Sequence, residues 1–231
     1  MAVSLASCGG GGDNKSNNKS KVLSREEMLK VATEVSIPAI TYDFEDNIVK
    51  AKKKYCNKIF TVWGFIQDIG ENYVELNSST SLDCVRAYLP DKELIKLDKS
   101  DAIQVVGIIT GSKEESEQYF EDTFNYNVIS MKNAHFITDV YKINNRNIDS
   151  VSYVVDENNY ECGVVDSNFG VIKVVCEDSV DFSAIDKIGE HFKKYTITAT
   201  GKLAHKEGVV DENDNPIVIM RSKGIKFSKK K

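Results

Sequence analysis

Asn47-Ile48-Val49-Lys50-Ala51-Lys52-Lys53-Lys54-Tyr55-Cys56-Asn57-Lys58 runs directly into Ile59-Phe60-Thr61-Val62-Trp63-Gly64-Phe65-Ile66, and the spacing of apolar residues changes along the way. Phe44, Ile48, Ala51 and Tyr55 recur at helical spacing, which predicts a helix beginning at Asp43; from Ile59 the period is that of a strand. Lys50, Lys52, Lys53 and Lys54 crowd the last turns of this helix, where positive charge suits the negative end of the macrodipole. With Glu45 and Asp46 upstream, they read as a solvated face rather than a nucleic-acid patch. Further upstream, Ser24-Arg25-Glu26-Glu27 has the form of a capping box. It predicts a short helix with Met28, Leu29, Ala32 and Val35 on one face, ended by Pro38.

Downstream, β-rich runs cover residues 59–68, 73–76, 84–89, 102–110 and 127–137, with a short helical piece over 91–97 between the third and fourth. A helix in that place is the pattern of a five-stranded OB-fold barrel, and Gly64 and Gly107 suit the bends that close one. Residues 170–176, 181–192, 195–203 and 217–227 repeat strand, helix, strand, strand. Gly201 answers Gly107, and Val218-Ile219-Met220-Arg221 echoes Val128-Ile129-Ser130-Met131. Recurrence of this kind points to an internal repeat. The expected fold is mainly β: two tandem OB-like five-stranded barrels behind an N-terminal helical lead-in. Its parts are a tether over 1–22, a first domain over 23–139 and a second over 140–231.

The elements Asn47-x3-Ala51-x3-Tyr55-x2-Lys58 and Val62-x-Gly64-x-Ile66 resemble the tRNA_anti-like OB-fold family of bacterial envelope lipoproteins. Leu94-x2-Leu97 and Asp101 before Val105-Val106-Gly107 resemble the later block of that family, over about residues 43–139. Ser100 stands where a glycine is usual, so the turn before the fourth strand is expected to differ in shape. The resemblance implies an envelope-attached OB-fold and does not establish tRNA binding.

The N-terminus agrees with that location. Leu5-Ala6-Ser7-Cys8 resembles a lipobox with Cys8 as the lipid attachment site, and the Gly, Asn, Ser and Lys residues that follow are too polar to build a core. Only Met1 to Ser7 precede the cysteine, too few for the apolar stretch of a signal peptide, so translation is expected to start upstream of Met1. The acidic excess behind the net charge of −5 lies before residue 140, and neither half looks like a phosphate-binding surface.

His135, His191 and His205 are far apart with no metal-ligand spacing, and no Gly-x-Ser-x-Gly elbow occurs. Gly107 to Lys113 lacks one spacer of a phosphate loop. Asp211-Glu212-Asn213-Asp214-Asn215 begins like a calcium loop, but Pro216 stands where glycine is required. The chain is therefore expected to be non-enzymatic, without cofactor or metal. Among Cys56, Cys84, Cys162 and Cys176 there is no C-x-x-C. A hairpin centred on Phe169 would set Cys162 opposite Cys176, either as a disulfide or as two buried thiols.

The expected contact surface is the face of the second and third strands, with Tyr73, Arg86 and Tyr88, together with a long loop over 112–126. That loop interleaves five carboxylates with Tyr119, Phe120, Phe124 and Tyr126; Tyr119 and Phe124 are the candidates to stack on a ligand. Carboxylates disfavour a phosphodiester and leave a sugar, peptide or protein partner. Nucleic acid is the alternative.

Overall fold

The computed structural model describes residues 23–78, 82–119, 122–144, 155–156, 159–166, 169–176, 195–210 and 216–229. Cys8 and its tether, the helix expected over 181–192, and the acidic turn 211–215 lie outside them.

Helix α1 (Arg25–Leu29) opens with the expected capping box: Ser24 Oγ accepts from the Glu27 amide at 3.2 Å, and the Glu27 carboxylate accepts from the Ser24 amide at 2.9 Å. It ends sooner than its apolar spacing predicted. Strand β1 (Thr33–Glu34) follows and runs parallel to Phe60 and Thr61. Pro38 begins a helix instead of ending one, because the first turn has no intrahelical N–H bond for proline to lose. Thus α2 spans Ile37–Asp46 behind an N-cap at Ser36. Asn47 then divides what the periodicity suggested was a single helix from Asp43. Its backbone is extended and its side chain accepts from the Lys50 amide at 3.0 Å, starting α3 (Ile48–Tyr55).

Tyr55 and Lys58, two residues of the family resemblance, hold this corner together. The Tyr55 hydroxyl and the Lys54 ammonium both donate to Asp43 Oδ2 at 2.6 Å, and the hydrogen bond from Lys54 is the main cause that holds the Asp43 carboxyl below its ordinary range. Lys58 Nζ donates to the carbonyls of Lys53 and Lys54, at 3.1 and 2.7 Å, closing the helix end.

Strand β2 (Lys58–Ile69) pairs antiparallel with β3 (Tyr73–Asn77) on one side and with β5 (Ala102–Tyr119) on the other. Strand β3 pairs with β4 (Cys84–Tyr88), β4 runs parallel to β6 (Asp122–Thr138), and β6 returns antiparallel to β5. Among the described residues the pairing therefore runs β2-β3-β4-β6-β5 and back to β2. Helix α4 (Asp91–Leu94) sits between β4 and β5, as predicted. Alternate residues of these strands (Val62, Ile66, Val74, Leu76, Val85, Ile129 and Met131) form one cluster with Ile37, Ile40, Phe44 and Tyr55 from α2 and α3. Gly64 lies where a Cβ would come within 2.7 Å of both Ile37 Cδ1 and Leu76 Cβ, so helix and strands approach over a missing side chain.

A second sheet has the order β7 (Val140–Asn144), β11 (Tyr195–Val210), β12 (Pro216–Lys229), β10 (Gly170–Cys176), β9 (Asn159–Asp166), β8 (Val155–Asp156). With β7 read as a first strand, this is the order of the first sheet, and its parallel pair recurs as β10 with β12. The two echoed segments occupy equivalent places: Val128–Met131 runs beside β4 and Val218–Arg221 beside β10. Gly107 and Gly201 both sit at shifts of strand register. Among the described residues no pairing joins β7 to β9. The first sheet packs against the second through aromatic rings: Trp63 meets Tyr141 at 4.8 Å, and Phe65 meets Phe169 at 4.9 Å.

The hairpin containing the cysteine pair forms, but its register corrects the expectation. Gly170 pairs with Asp166, which centres the turn on residue 168 and not on Phe169. Cys162 consequently faces Val174, and Cys176 faces Tyr160. The two cysteines are diagonal positions, since moving the centre by one residue displaces the partner by two.

Ser100 also departs from expectation. It adopts φ +73°, the left-handed region where glycine is at home, so the turn is kept although the glycine is absent. Ser100→Gly should therefore raise stability by about 0.5–1 kcal/mol, the relief of left-handed strain less the added entropy of the unfolded chain. Gly64→Ala should destabilise by about 1–3 kcal/mol through overpacking. Urea midpoints of the two variants should move in opposite directions, and equal shifts would remove both assignments.

Candidate functional site

Strand alternation builds the site. With Val74 and Leu76 of β3 and Val85 and Ala87 of β4 turned inward, Tyr73 and Glu75, and Cys84, Arg86 and Tyr88, fall on the opposite face. The register sets Tyr73 across from Tyr88 and Glu75 across from Arg86. The Tyr73 and Tyr88 rings meet at 6.1 Å, and the Arg86 guanidinium lies 5.0 Å from the Tyr73 centroid. The structure therefore brings Tyr73, Arg86 and Tyr88 together as the sequence suggested.

The expected loop over 112–126 is instead a β-ribbon. Strands β5 and β6 stay paired from Gly111 with Ser130 out to Tyr119 with Asp122. A run of Glu, Ser and Gln has little strand preference of its own. It is held extended by Thr123 to Tyr126 across the ladder and by continuity with the buried part of β5. At the ribbon's base the Asp83 carboxylate accepts from the Asn127 amide at 2.8 Å, and Asn127 Nδ2 donates to Glu45 at 3.1 Å.

This ribbon delivers Glu115 to Arg86. Arg86 Nη1 and Nη2 donate to the two Glu115 oxygens at 3.1 and 2.9 Å, and Nε donates to Glu75 Oε1 at 2.6 Å. The three side chains are mostly buried. Hydrogen bonding from Arg86 holds the Glu115 carboxyl below its ordinary range, and Glu115 in turn raises the already high pKa of Arg86. Lys113 adds a longer contact to Glu115 at 3.3 Å. Around this trio, burial and then Glu75 push the Cys84 thiol up to about 12; burial followed by Glu75 and Glu115 raises Tyr126.

Of the ribbon candidates, Phe124 pairs with Glu117 and is 44% exposed, an open aromatic surface. Tyr119 pairs through its backbone with Asp122, beyond the trio. An open groove of about 570 Å³ beside them is lined by Lys113, Glu114, Glu115, Ser116 and Asn125. Glu75, Glu115 and Tyr126 were missed as site residues. Glu75 was readable from its two-residue spacing to Tyr73, whereas Glu115 depended on the ribbon. Elsewhere, His135 Nδ1 lies 3.2 Å from Glu93, which also accepts from the Phe136 amide at 2.6 Å; this pair fixes α4 to β6. No group of side chains suited to a metal ion occurs among the described residues, and none of their helices is long and apolar enough to cross a membrane.

Removing Arg86 leaves two carboxylates crowded, with only the exposed Lys113 ammonium at 3.3 Å from Glu115 as a counter-charge. Arg86→Met should cost about 2–3 kcal/mol at pH 7, less than a fully buried pair because the site is partly wet. The Glu115 pKa is depressed on folding, so its contribution is present above the unfolded-state value and lost as pH falls through the folded one. The penalty of the variant should accordingly shrink toward pH 4. Urea titrations of both proteins at the two pH values measure this, and a penalty that does not change with pH would contradict it.

No curated protein matches the chain significantly. Among solved structures, it is similar to a lipoprotein of Klebsiella pneumoniae subsp. pneumoniae described as a candidate nucleic acid-binding protein. The identity is 15% and the TM-score 0.37, over 50% of this chain and 99% of that one. The tRNA_anti-like family model matches residues 2–118, from the N-terminal lead-in through most of β5. On this match over half of its length, the chain belongs to the tRNA_anti-like family.

Proposed function

We propose that the chain is a lipid-anchored protein of a bacterial envelope, attached through Cys8, whose body is a non-enzymatic binding or assembly module. In this reading the first sheet is an OB-like barrel that takes its partner on the outer face of β3 and β4 and along the β5–β6 ribbon. The second sheet is a further OB-like unit, an assignment supported by the repeated strand order. The partner is a protein segment or an oligosaccharide.

One observation carries the choice of partner: the guanidinium that would meet a phosphate is already committed to two carboxylates. Tyr73, Tyr88 and Phe124 offer ring faces to a sugar or an apolar side chain, as OB folds do on this face. Glu114 and Glu117 add negative potential that repels a phosphodiester chain. Glu115, kept ionised by Arg86, is badly placed to serve as a general acid at neutral pH. Nucleic-acid binding, the role suggested for the Klebsiella lipoprotein, is the second reading, because the same rings could stack on bases.

Fluorescence titration with a single-stranded oligonucleotide separates the two. Affinity no tighter than roughly 10⁻⁴ M at physiological salt is expected, the weak end of non-specific binding. A micromolar, salt-sensitive affinity lost in Arg86→Ala with Tyr88→Ala would promote the second reading. For the anchor, the complete gene and its Cys8→Ala variant should differ in detergent partitioning, with only the unmodified protein entering the detergent phase. Equal partitioning would refute lipid attachment.

A further inference from the structure

Helix α3 exposes a face that its packing does not explain. Ala51 and Tyr55 turn into the core and fix the orientation of the helix. At about 100° per residue, the opposite side carries Val49 with Lys50 and Lys53, Lys52 flanks it, and Ile48 lies nearer Tyr55. Val49 is 74% exposed and Ile48 47%. Lys52 and Lys53 are one turn beyond Val49, so the aliphatic side chain stands among ammonium groups. The nearby acids cancel only part of these charges: Asp43 is taken by Lys54, while Glu45 and Asp46 stand against Lys50, Lys52 and Lys53. In a chain of net charge −5 this is a local reversal of sign.

Aliphatic groups ringed by lysine suit an anionic bilayer, where the chains enter the boundary between headgroups and acyl tails while the ammonium groups remain with the phosphates. We infer that α3 is a second membrane contact, which seats the body on anionic lipid through Val49, Lys50, Lys52 and Lys53. The inference draws on the envelope location proposed above. Even fully extended, residues 9–22 reach at most about 50 Å, so a lipid on Cys8 would keep this helix near the bilayer. The contact adds to the anchor by raising the local concentration of the face at its surface.

Unlipidated full-length protein carrying Cys8→Ala makes the test independent of the anchor. It is sedimented with vesicles of phosphatidylcholine alone, or with phosphatidylglycerol added to about one third. Binding is expected only to the anionic vesicles and should be released by high salt. Each lysine near such a surface contributes about fivefold, so Lys50→Gln with Lys52→Gln and Lys53→Gln should weaken binding roughly a hundredfold. Val49→Ser should weaken it several-fold while leaving the salt dependence unchanged. All these positions are exposed, so the variants should stay folded; Val49→Ser should melt with the parent, and the lysine variant should lose no more than the favourable helix-end charge contributes. The inference is overturned by equal affinity for the two vesicle types, by no affinity for either, or by a triple variant that binds undiminished. An oligonucleotide that displaces the vesicles and binds α3 more tightly than they do would also overturn it, assigning the face to nucleic acid.

Discussion

Strand β2 is buried on both faces, and the architecture follows from that constraint. Its inward residues Phe60, Val62 and Ile66 need the helices and the other strands of the first sheet, whereas Trp63 and Phe65 point the other way and need the second sheet. Both hydrogen-bonding edges are used as well, one by β3 and the other by β5. A strand whose edges and faces are all covered cannot change register without exposing apolar surface on one side and burying polar groups on the other. Gly64 lies within this strand beside α2, where even a methyl group would be too much.

The electrostatics of the candidate face depend on a different balance. Arg86 could not lie beside Tyr73 with most of its side chain covered without anionic partners, and Glu75 and Glu115 supply them with bidentate geometry on the ribbon side. That satisfaction has a functional cost, because a guanidinium held by two carboxylates is no longer a phosphate hook. The same three groups tie the ribbon to the body of the sheet. A ligand on this face would therefore meet ring surfaces with carboxylate edges, a chemistry unlike that of the lysine-rich surface of α3.

The sequence by itself determined the elements that rest on local rules. The capping box at Ser24 and the β-rich runs with a helix between the third and fourth could be read from spacing and residue type, because caps and side-chain periodicity act over a few residues. The same rules put Tyr73, Arg86 and Tyr88 on one surface. Tertiary structure decided what depends on partners distant in the chain. Glu114 to Tyr119 read as a loop, and became strand because a ladder already formed in the core extends through them. Pro38 and Asn47 are compatible with either end of a helix, and packing of Phe44 and Tyr55 against the strands chose which. A turn centre displaced by one residue separated Cys162 from Cys176 as direct partners. Ser100 kept a glycine's backbone angle because its amide donates to the Ile66 carbonyl of β2 and the Ile66 amide donates to the Asp101 carbonyl, which fixes the turn. The occupation of Arg86 was the least legible feature, since Glu115 lies 29 residues away and reaches the guanidinium only when three strands and a ribbon are in register.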